Sequence, residues 1–269
     1  MEKDKLEKHL VSVIIPAYKQ EKKIEEDLLR IKKVLDQLRY NYEMIVVIDG
    51  LFDKTYENAK KIESSKLKVY GYEHNHGKGF AIRYGMMRCK GDVIGFIDSG
   101  MEINPNGLSM LLEHFEWYDA DIIIGSKRHP VSKVNYPATR KLLSFLSQIY
   151  IRMLFGLNVR DTQVGLKFFK KKVIENVLPR LLVKKFAFDI EILAVAYFLG
   201  YKRIYEAPVE LQLNMTNSLV SKDLFRILFK TLLDSLAIFY RLKILHYYDD
   251  NNKRMWRYDP ELQFKINVG

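Results

Sequence analysis

Two acids, Asp98 and Glu102 in the stretch Asp98-Ser99-Gly100-Met101-Glu102, could hold a hard divalent cation against a diphosphate. Their place in the chain says as much as their type. They follow Gly91-Asp92-Val93-Ile94-Gly95-Phe96-Ile97, an apolar, β-branched and aromatic run that predicts a buried strand. They precede Asn104-Pro105-Asn106-Gly107, a turn signal, and then a helical pattern from Leu108. The acids thus fall at the carboxyl end of a central strand, the edge on which open α/β sheets bind ligands. Taken alone, Asp98 serves equally well as a turn cap, since Asp is common after strands.

The elements that would position them alternate. Leu10-Val11-Ser12-Val13-Ile14-Ile15-Pro16 predicts a first buried strand ended by proline, with Ala17-Tyr18-Lys19-Gln20 as the loop at its carboxyl end. Residues 21–38 carry Ile24, Leu28, Ile31, Leu35 and Leu38 at helical spacing. A second strand over 42–48 ends in Asp49-Gly50, and Asp53 is placed to cap the next helix. A third strand covers 67–72, followed by His74-Asn75-His76-Gly77-Lys78-Gly79 and a helix over 80–89. With the strand at 93–97 the order is β-α-β-α-β-α-β, which predicts a parallel sheet with helices on both faces. Further strands are expected over 120–126 and 203–209, and a partly strand-like stretch over 161–169. Helices are expected over 108–117, 138–157 and 187–199, the last closed by Gly200.

Residues 1–213 would form this domain and 214–269 an appendage. Residues 219–248 set Lys222, Arg226, Lys230, Asp234 and Arg241 against Leu224, Phe225, Leu228, Leu232, Leu236, Phe239 and Leu245. Charges at that spacing argue against a spanning helix and suit one lying in a bilayer interface. A surface helix packed on the domain, or a dimer contact, has the same pattern.

Composition narrows the chemistry. Lys+Arg 44 against Asp+Glu 33 gives a net charge of +11, which favours polyanionic partners. Nucleic acid is disfavoured, because the basic residues form no single stripe with stacking aromatics. A single cysteine, Cys89, excludes an internal disulfide and a cysteine-based zinc site, and His74, His76 and Cys89 are poorly spaced for zinc. Gly77-Lys78-Gly79 lacks the Walker spacing, and no GxGxxG follows the first strand, so neither a P-loop kinase nor a dinucleotide dehydrogenase is indicated. The charged N-terminus has no apolar core of the signal-peptide kind.

Several motifs now coincide in order. Val13-Ile14-Ile15-Pro16-Ala17-Tyr18 is followed by Ile45-Val46-Val47-Ile48-Asp49-Gly50 and Asn75-His76-Gly77-Lys78-Gly79. The Gly91 to Asp98 stretch, Gly125-Ser126-Lys127-Arg128, Asp161-Thr162-Gln163-Val164-Gly165-Leu166-Lys167 and Phe188-Asp189-Ile190-Glu191 come after. Over about residues 10–212 this series resembles the family 2 glycosyltransferases, and among them the polyprenyl-phosphate (dolichyl-phosphate) mannose and glucose synthases.

The resemblance implies a GT-A fold, with a Rossmann-like, mostly parallel sheet, helices on both faces and C-terminal amphipathic helices. It implies inverting transfer of a hexose from a UDP- or GDP-linked sugar to a polyprenyl phosphate, by a protein peripheral to the cytoplasmic face of a membrane. Transfer to a glycan or protein acceptor, or a non-catalytic nucleotide- or membrane-binding role, are the competing readings. Carried over, Pro16, Ala17, Tyr18 and Ser99 line the nucleotide pocket, Asp49 meets the base, and Lys78 lies by the nucleotide. Asp98 and Glu102 hold Mg2+ or Mn2+. Lys127, Arg128 and Arg140 face the acceptor phosphate, and Asp161 belongs to the catalytic site. A homo-oligomer is compatible with all of this. The chain departs from the family at Gly100, where a second acid is usual. Compensation by Glu102, metal-independent or weakly metal-dependent catalysis, and loss of activity are the ways to read that loss.

Overall fold

The structure is a computed structural model that describes residues 9–133, 138–211, 222–252 and 255–268. The side chains of 138–142, 222–228, 255, 264, 267 and 268 fall outside the described set. The expected domain boundary at 213/214, the Arg140 side chain, and Lys222, Leu224, Phe225, Arg226 and Leu228 therefore lie outside it.

The apolar runs form the strands they predict: β1 (Leu10–Ala17), β2 (Asn41–Asp49), β3 (Leu67–Tyr72), β4 (Val93–Ile97) and β5 (Ile122–Ser126). β6 (Leu166–Lys170) and β7 (Ile204–Pro208) complete a seven-stranded sheet in the order β3-β2-β1-β4-β6-β5-β7. β1 pairs in parallel with β2 and β4, β2 with β3, and β5 with β7. β1 and β4 are buried along almost their whole length, as continuous apolar runs covered on both faces should be.

One strand is reversed. β6 runs antiparallel between β4 and β5. Its neighbours accept it because Gly95 has no side chain: a Cβ there would lie 2.1 Å from the Phe168 ring and 2.5 Å from the Lys167 carbonyl oxygen. The reversal has a chemical result, since it carries Lys167, fully buried, into the sheet directly beneath the end of β4.

The helices are α1 (Ile24–Leu35), α2 (Thr55–Lys60), α3 (Lys78–Met86), α4 (Gly107–Trp117), α5 (Ala138–Phe155), α6 (Lys171–Val177), α7 (Phe188–Phe198) and α8 (Lys222–Lys243). A 3₁₀ turn, Leu178–Arg180, follows α6. Asp53 acts one residue from the expected cap: its carboxylate accepts the Thr55 N–H at 3.0 Å and the Thr55 hydroxyl at 2.5 Å, while Lys54 holds the cap position.

The C-terminal helix is amphipathic in an unusual sense. The face of α8 that meets the body carries Thr231, Ser235, Ile238 and Leu242, all buried. Large apolar residues point outward: Phe229, Leu233, Leu236, Tyr240 and Ile244 are each about half exposed or more. α8 packs against α5, where the Tyr150 hydroxyl donates to the Leu232 carbonyl at 3.1 Å and Phe155 meets Phe239 edge-on. α5 likewise exposes Phe145, Leu146 and Met153. Among the described residues no helix is long and apolar enough to cross a membrane. A two-stranded hairpin, β8 (Met255–Asp259) with β9 (Phe264–Val268), follows α8 where the helical pattern alone had suggested only an extension.

If the β4–β6 approach requires glycine, Gly95→Ala should destabilise the protein by about 1–3 kcal/mol through overpacking. Thermal unfolding should then show a midpoint lower by several degrees, and an unchanged midpoint would contradict the account.

Candidate active site

A cleft of about 440 Å³ opens at the carboxyl ends of β1, β2 and β4. Seven of the expected residues line it: Pro16, Ala17 and Tyr18 after β1, Asp49 after β2, Lys78 at the start of α3, and Asp98 with Ser99 after β4. Gln20, Asn75, Lys185 and Phe186 line it too. Glu102 is exposed and is not among the lining residues, and neither are Lys127, Arg128 and Asp161.

Asp49 is nearly buried, and its carboxylate is occupied by the loop that follows β3. It accepts from the Tyr72 hydroxyl (3.0 Å), the Asn75 amide (2.8 Å), and the N–H groups of His76 (2.8 Å) and Gly77 (3.0 Å). The acid thus fixes the entry to α3. Ser99 is also a brace, donating from its hydroxyl to the Pro16 carbonyl at 2.8 Å. It ties the β1 and β4 ends of the cleft together.

Lys78 and Asp98 form the charged end of the cleft. The Lys78 ammonium lies 2.9 Å from Asp98 Oδ2 and 3.3 Å from Asp189 Oδ2. On the far side of Asp189 stands Lys167, whose Nζ is 2.5 Å from Asp189 Oδ1 and also donates to the Val164 carbonyl. Burial opposes ionisation of Asp189, but the Lys167 and Lys78 ammoniums outweigh it and hold its carboxyl below the usual range. Burial likewise works against the Lys78 charge, yet Asp189 and Asp98 overcome it and raise its pKa. Burial pulls the Lys167 ammonium down.

Asp98 is held by backbone as well. Its N–H donates to the Gly165 carbonyl at 2.9 Å, and a Cβ on Gly165 would fall 1.9 Å from Asp98 Oδ2. Its other oxygen, Oδ1, is buried without a hydrogen-bond partner among the described residues. Such an orphan is expensive unless something completes it. Gly100 supplies no second carboxylate, and the space beside it is open: a Cβ there would meet only the Gln20 amide, at 3.7 Å. Among the described residues no group of three or more His, Cys, Asp or Glu side chains converges on one point. This donor set fits a cation completed by substrate oxygens and water, and does not fit an all-protein cage.

The remaining expected residues gather beside α5. Asp161 Oδ2 accepts the Lys127 N–H at 3.1 Å, joining the loop after β5 to the loop before β6. The Arg128 guanidinium donates to the carbonyls of Ser144 (2.9 Å) and Arg160 (3.1 Å) and lies 5.7 Å from the centre of the Phe145 ring.

Three features escape the sequence reading. Lys185 lines the cleft with Phe186. The loop that carries them is held by Glu191, a fully buried acid that accepts the N–H groups of Leu182 (3.1 Å) and Val183 (2.9 Å) and the Tyr248 hydroxyl (2.7 Å). The glycines flanking Lys78 are there for this loop. A Cβ on Gly77 would lie 2.7 Å from the Lys184 carbonyl, and one on Gly79 would lie 2.5 Å from Phe188. Gly77 also has a φ of +101°, which favours glycine. The motif Asn75 to Gly79 signalled the site, but nothing local signalled the partner loop.

Comparison with known proteins gives a consistent result. Residues 12–178 match the family described as Glycosyl transferase family 2. The chain is 27% identical over 254 residues to a dolichyl-phosphate beta-glucosyltransferase of Dictyostelium discoideum, covering 86% of this chain and 77% of that one. It is 34% identical over 207 residues to the Drosophila melanogaster protein of the same name, covering 69% of this chain and 62% of that one. The crystal structure of glucosyl-3-phosphoglycerate synthase from Mycobacterium tuberculosis, in complex with Mn2+, UDP-glucose and phosphoglyceric acid, superposes with a TM-score of 0.63. It covers 97% of this chain and 87% of that one at 16% identity, so this likeness bears on the fold.

Two variants test the site. Gly165→Ala should push the Asp98 carboxylate aside, lowering turnover by on the order of 10²-fold, since a shift of about 1 Å can cost that much. Its melting temperature should fall as well, because the displaced carboxylate is a partner of the largely buried Lys78 ammonium; wild-type turnover in this variant would refute the placement of Asp98. Tyr248→Phe removes one of the bonds to Glu191 and should weaken nucleotide binding several-fold, about 1 kcal/mol. Calorimetric titration checks it, and unchanged nucleotide affinity would show that the brace does not shape the cleft.

Proposed function

Since this chain belongs to glycosyl transferase family 2, and is therefore a glycosyltransferase, we propose that it moves a hexose from a nucleoside diphosphate sugar to a polyprenyl phosphate, with inversion, at the cytoplasmic face of a membrane. The dolichyl-phosphate specificity named for both relatives supports a polyprenyl-phosphate acceptor. The single observation that carries the reading for this chain is the outward apolar face of α5 and α8, which begins at Phe145 under the Arg128 guanidinium. A soluble acceptor gives no reason for that surface; a lipid phosphate does.

In this reading the nucleotide lies along Pro16, Ala17 and Tyr18, with the half-exposed rings of Tyr18 and Phe186 available to the base and ribose. The diphosphate meets Lys78. Asp49 acts on the base side through the loop it holds. Asp98, through its free Oδ1, is the cleft residue that would hold Mg2+ or Mn2+, a cation that stabilises the charge developing on the leaving diphosphate when bound; Glu102 lies outside the cleft lining. The acceptor phosphate is already ionised at neutral pH, so it needs little help from a general base. What it needs is a cationic seat, and Lys127, Arg128 and Arg140 supply one. Asp161 positions Lys127 through the backbone N–H it accepts. The acceptor oxygen then attacks the anomeric carbon from the face opposite the diphosphate, which inverts the centre.

The test is direct. Titration with UDP and GDP, each with and without Mn2+, should show one nucleotide binding at least about tenfold more tightly with the metal, a difference of about 1.4 kcal/mol. The matching sugar nucleotide should then glycosylate a polyprenyl phosphate presented in vesicles. Transfer to a soluble glycan in preference to the lipid would reassign the acceptor. Binding of neither nucleotide would leave a non-catalytic member of the family.

A further inference from the structure

A second polar cleft, of about 460 Å³, shares no lining residue with the first. It is lined by Gln148 and Arg152, one turn apart on α5, together with His129, Asn158, Arg160 and Glu206. Two guanidiniums face one carboxylate. Neither the Arg152 nor the Arg160 guanidinium has an ion-pair or hydrogen-bond partner among the described residues, whereas Arg39, Arg180 and Arg203 are all paired with acids. Glu206 does not neutralise them at close range: its Oε1 is turned to the backbone, accepting the N–H groups of Arg160 at 2.8 Å and Asp161 at 3.1 Å.

The cleft is joined to the outward apolar face. Arg128 donates to the Arg160 carbonyl on one side and lies over the Phe145 ring on the other. Phe145 and Arg152 are seven residues apart on α5, two turns along the same face, and Met153 and Leu146 continue the exposed stripe beside them. The Tyr150–Leu232 bond carries the surface on to α8. An anion seat bordered by exposed apolar side chains suits a ligand whose charged group is attached to hydrocarbon.

We propose that this cleft seats the phosphate of an anionic membrane phospholipid, holding α5 and α8 in the headgroup layer. The seat is separate from the donor cleft and takes a bulk lipid of the bilayer, not the sugar acceptor. It rests on the membrane-facing reading of α5 and α8 given above. Arg152 and Arg160 supply charge and hydrogen bonds to the phosphodiester. Phe145, Leu146 and Met153 lie against its chains.

The experiment compares co-sedimentation of the full chain with vesicles of phosphatidylcholine alone and with phosphatidylglycerol added. The protein should prefer the anionic vesicles. The double variant Arg152→Gln/Arg160→Gln should lose roughly tenfold or more of that preference, since a basic residue near an anionic surface contributes about 1 kcal/mol. The control is Lys171→Gln/Lys172→Gln on α6, at the amino ends of β4 and β5, where the Lys171 N–H meets the Asp92 carbonyl. It should keep the preference. Equal losses in both double variants would mean unspecific attraction and overturn the proposal, as would no loss in either. A stronger response to vesicles carrying polyprenyl phosphate than to phosphatidylglycerol at matched charge would hand the cleft to the acceptor and overturn it as well. Nucleotide titration of the arginine variant should be unchanged. If the wild-type chain binds no nucleotide yet keeps the arginine-dependent preference, the proposed function fails and the phospholipid seat stands.

Discussion

A line of alternating charges runs out of the core: Lys167, Asp189, Lys78, Asp98. Each comes from a different element, namely β6, α7, α3 and the end of β4. Charges this deep are tolerated only when paired and hydrogen-bonded. Removing one member of such a buried pair typically costs about 3–5 kcal/mol, because the other is stranded. The line therefore constrains four elements to meet in one arrangement. Its inner end is sealed by the Val164 carbonyl, and its outer end is an oxygen of Asp98 that nothing in the described structure satisfies. The cleft inherits its electrostatic character from the core, and the sheet cannot be reorganised without disturbing the site.

That arrangement explains what was legible in the sequence and what was not. Strand ends could be read, because buried parallel strands are continuous apolar runs and the loops beyond them break the run. Pro16, Ala17, Tyr18, Asp49, Lys78, Asp98 and Ser99 do share one cleft. The direction of β6 could not be read, since alternation and hydrophobicity are the same in either direction. A lysine in a strand suggests a solvated face, yet Lys167 is fully buried, its charge matched by an acid 22 residues away. Asp49 was visible as an acid after a strand, but which donors reach it depends on the fold of residues 72–77. The hairpin at 255–268 had a signal in Asp259-Pro260 between two apolar stretches.

The C-terminal helix shows a different limit. Helical periodicity divides α8 into two sides and does not say which side meets the protein. The usual inference puts the apolar side inward. Here Thr231 and Ser235 go inward with Ile238 and Leu242, and the larger apolar residues go out. Ser235 is buried at no cost to hydrogen bonding, because its hydroxyl donates to the Thr231 carbonyl at 2.7 Å within the helix. Apolar side chains on both sides of α8 suit a helix with a second apolar neighbour besides the protein, which the proposed membrane contact would supply.

The bond from Tyr248 to Glu191 has a consequence in time. Chains emerge from the ribosome N-terminus first, at about 5–20 residues per second, and domains begin to fold as they appear. Strands β1 to β6, Lys78 and Asp98 are all made before residue 171, but the wall formed by Lys185 and Phe186 hangs from an acid whose last partner is residue 248. By then α8, with its outward apolar face, has also been made. The donor cleft is completed late in synthesis, after the surface proposed to meet the membrane already exists. Under the proposed function, a nascent chain would present its lipid-facing surface before its nucleotide cleft is complete.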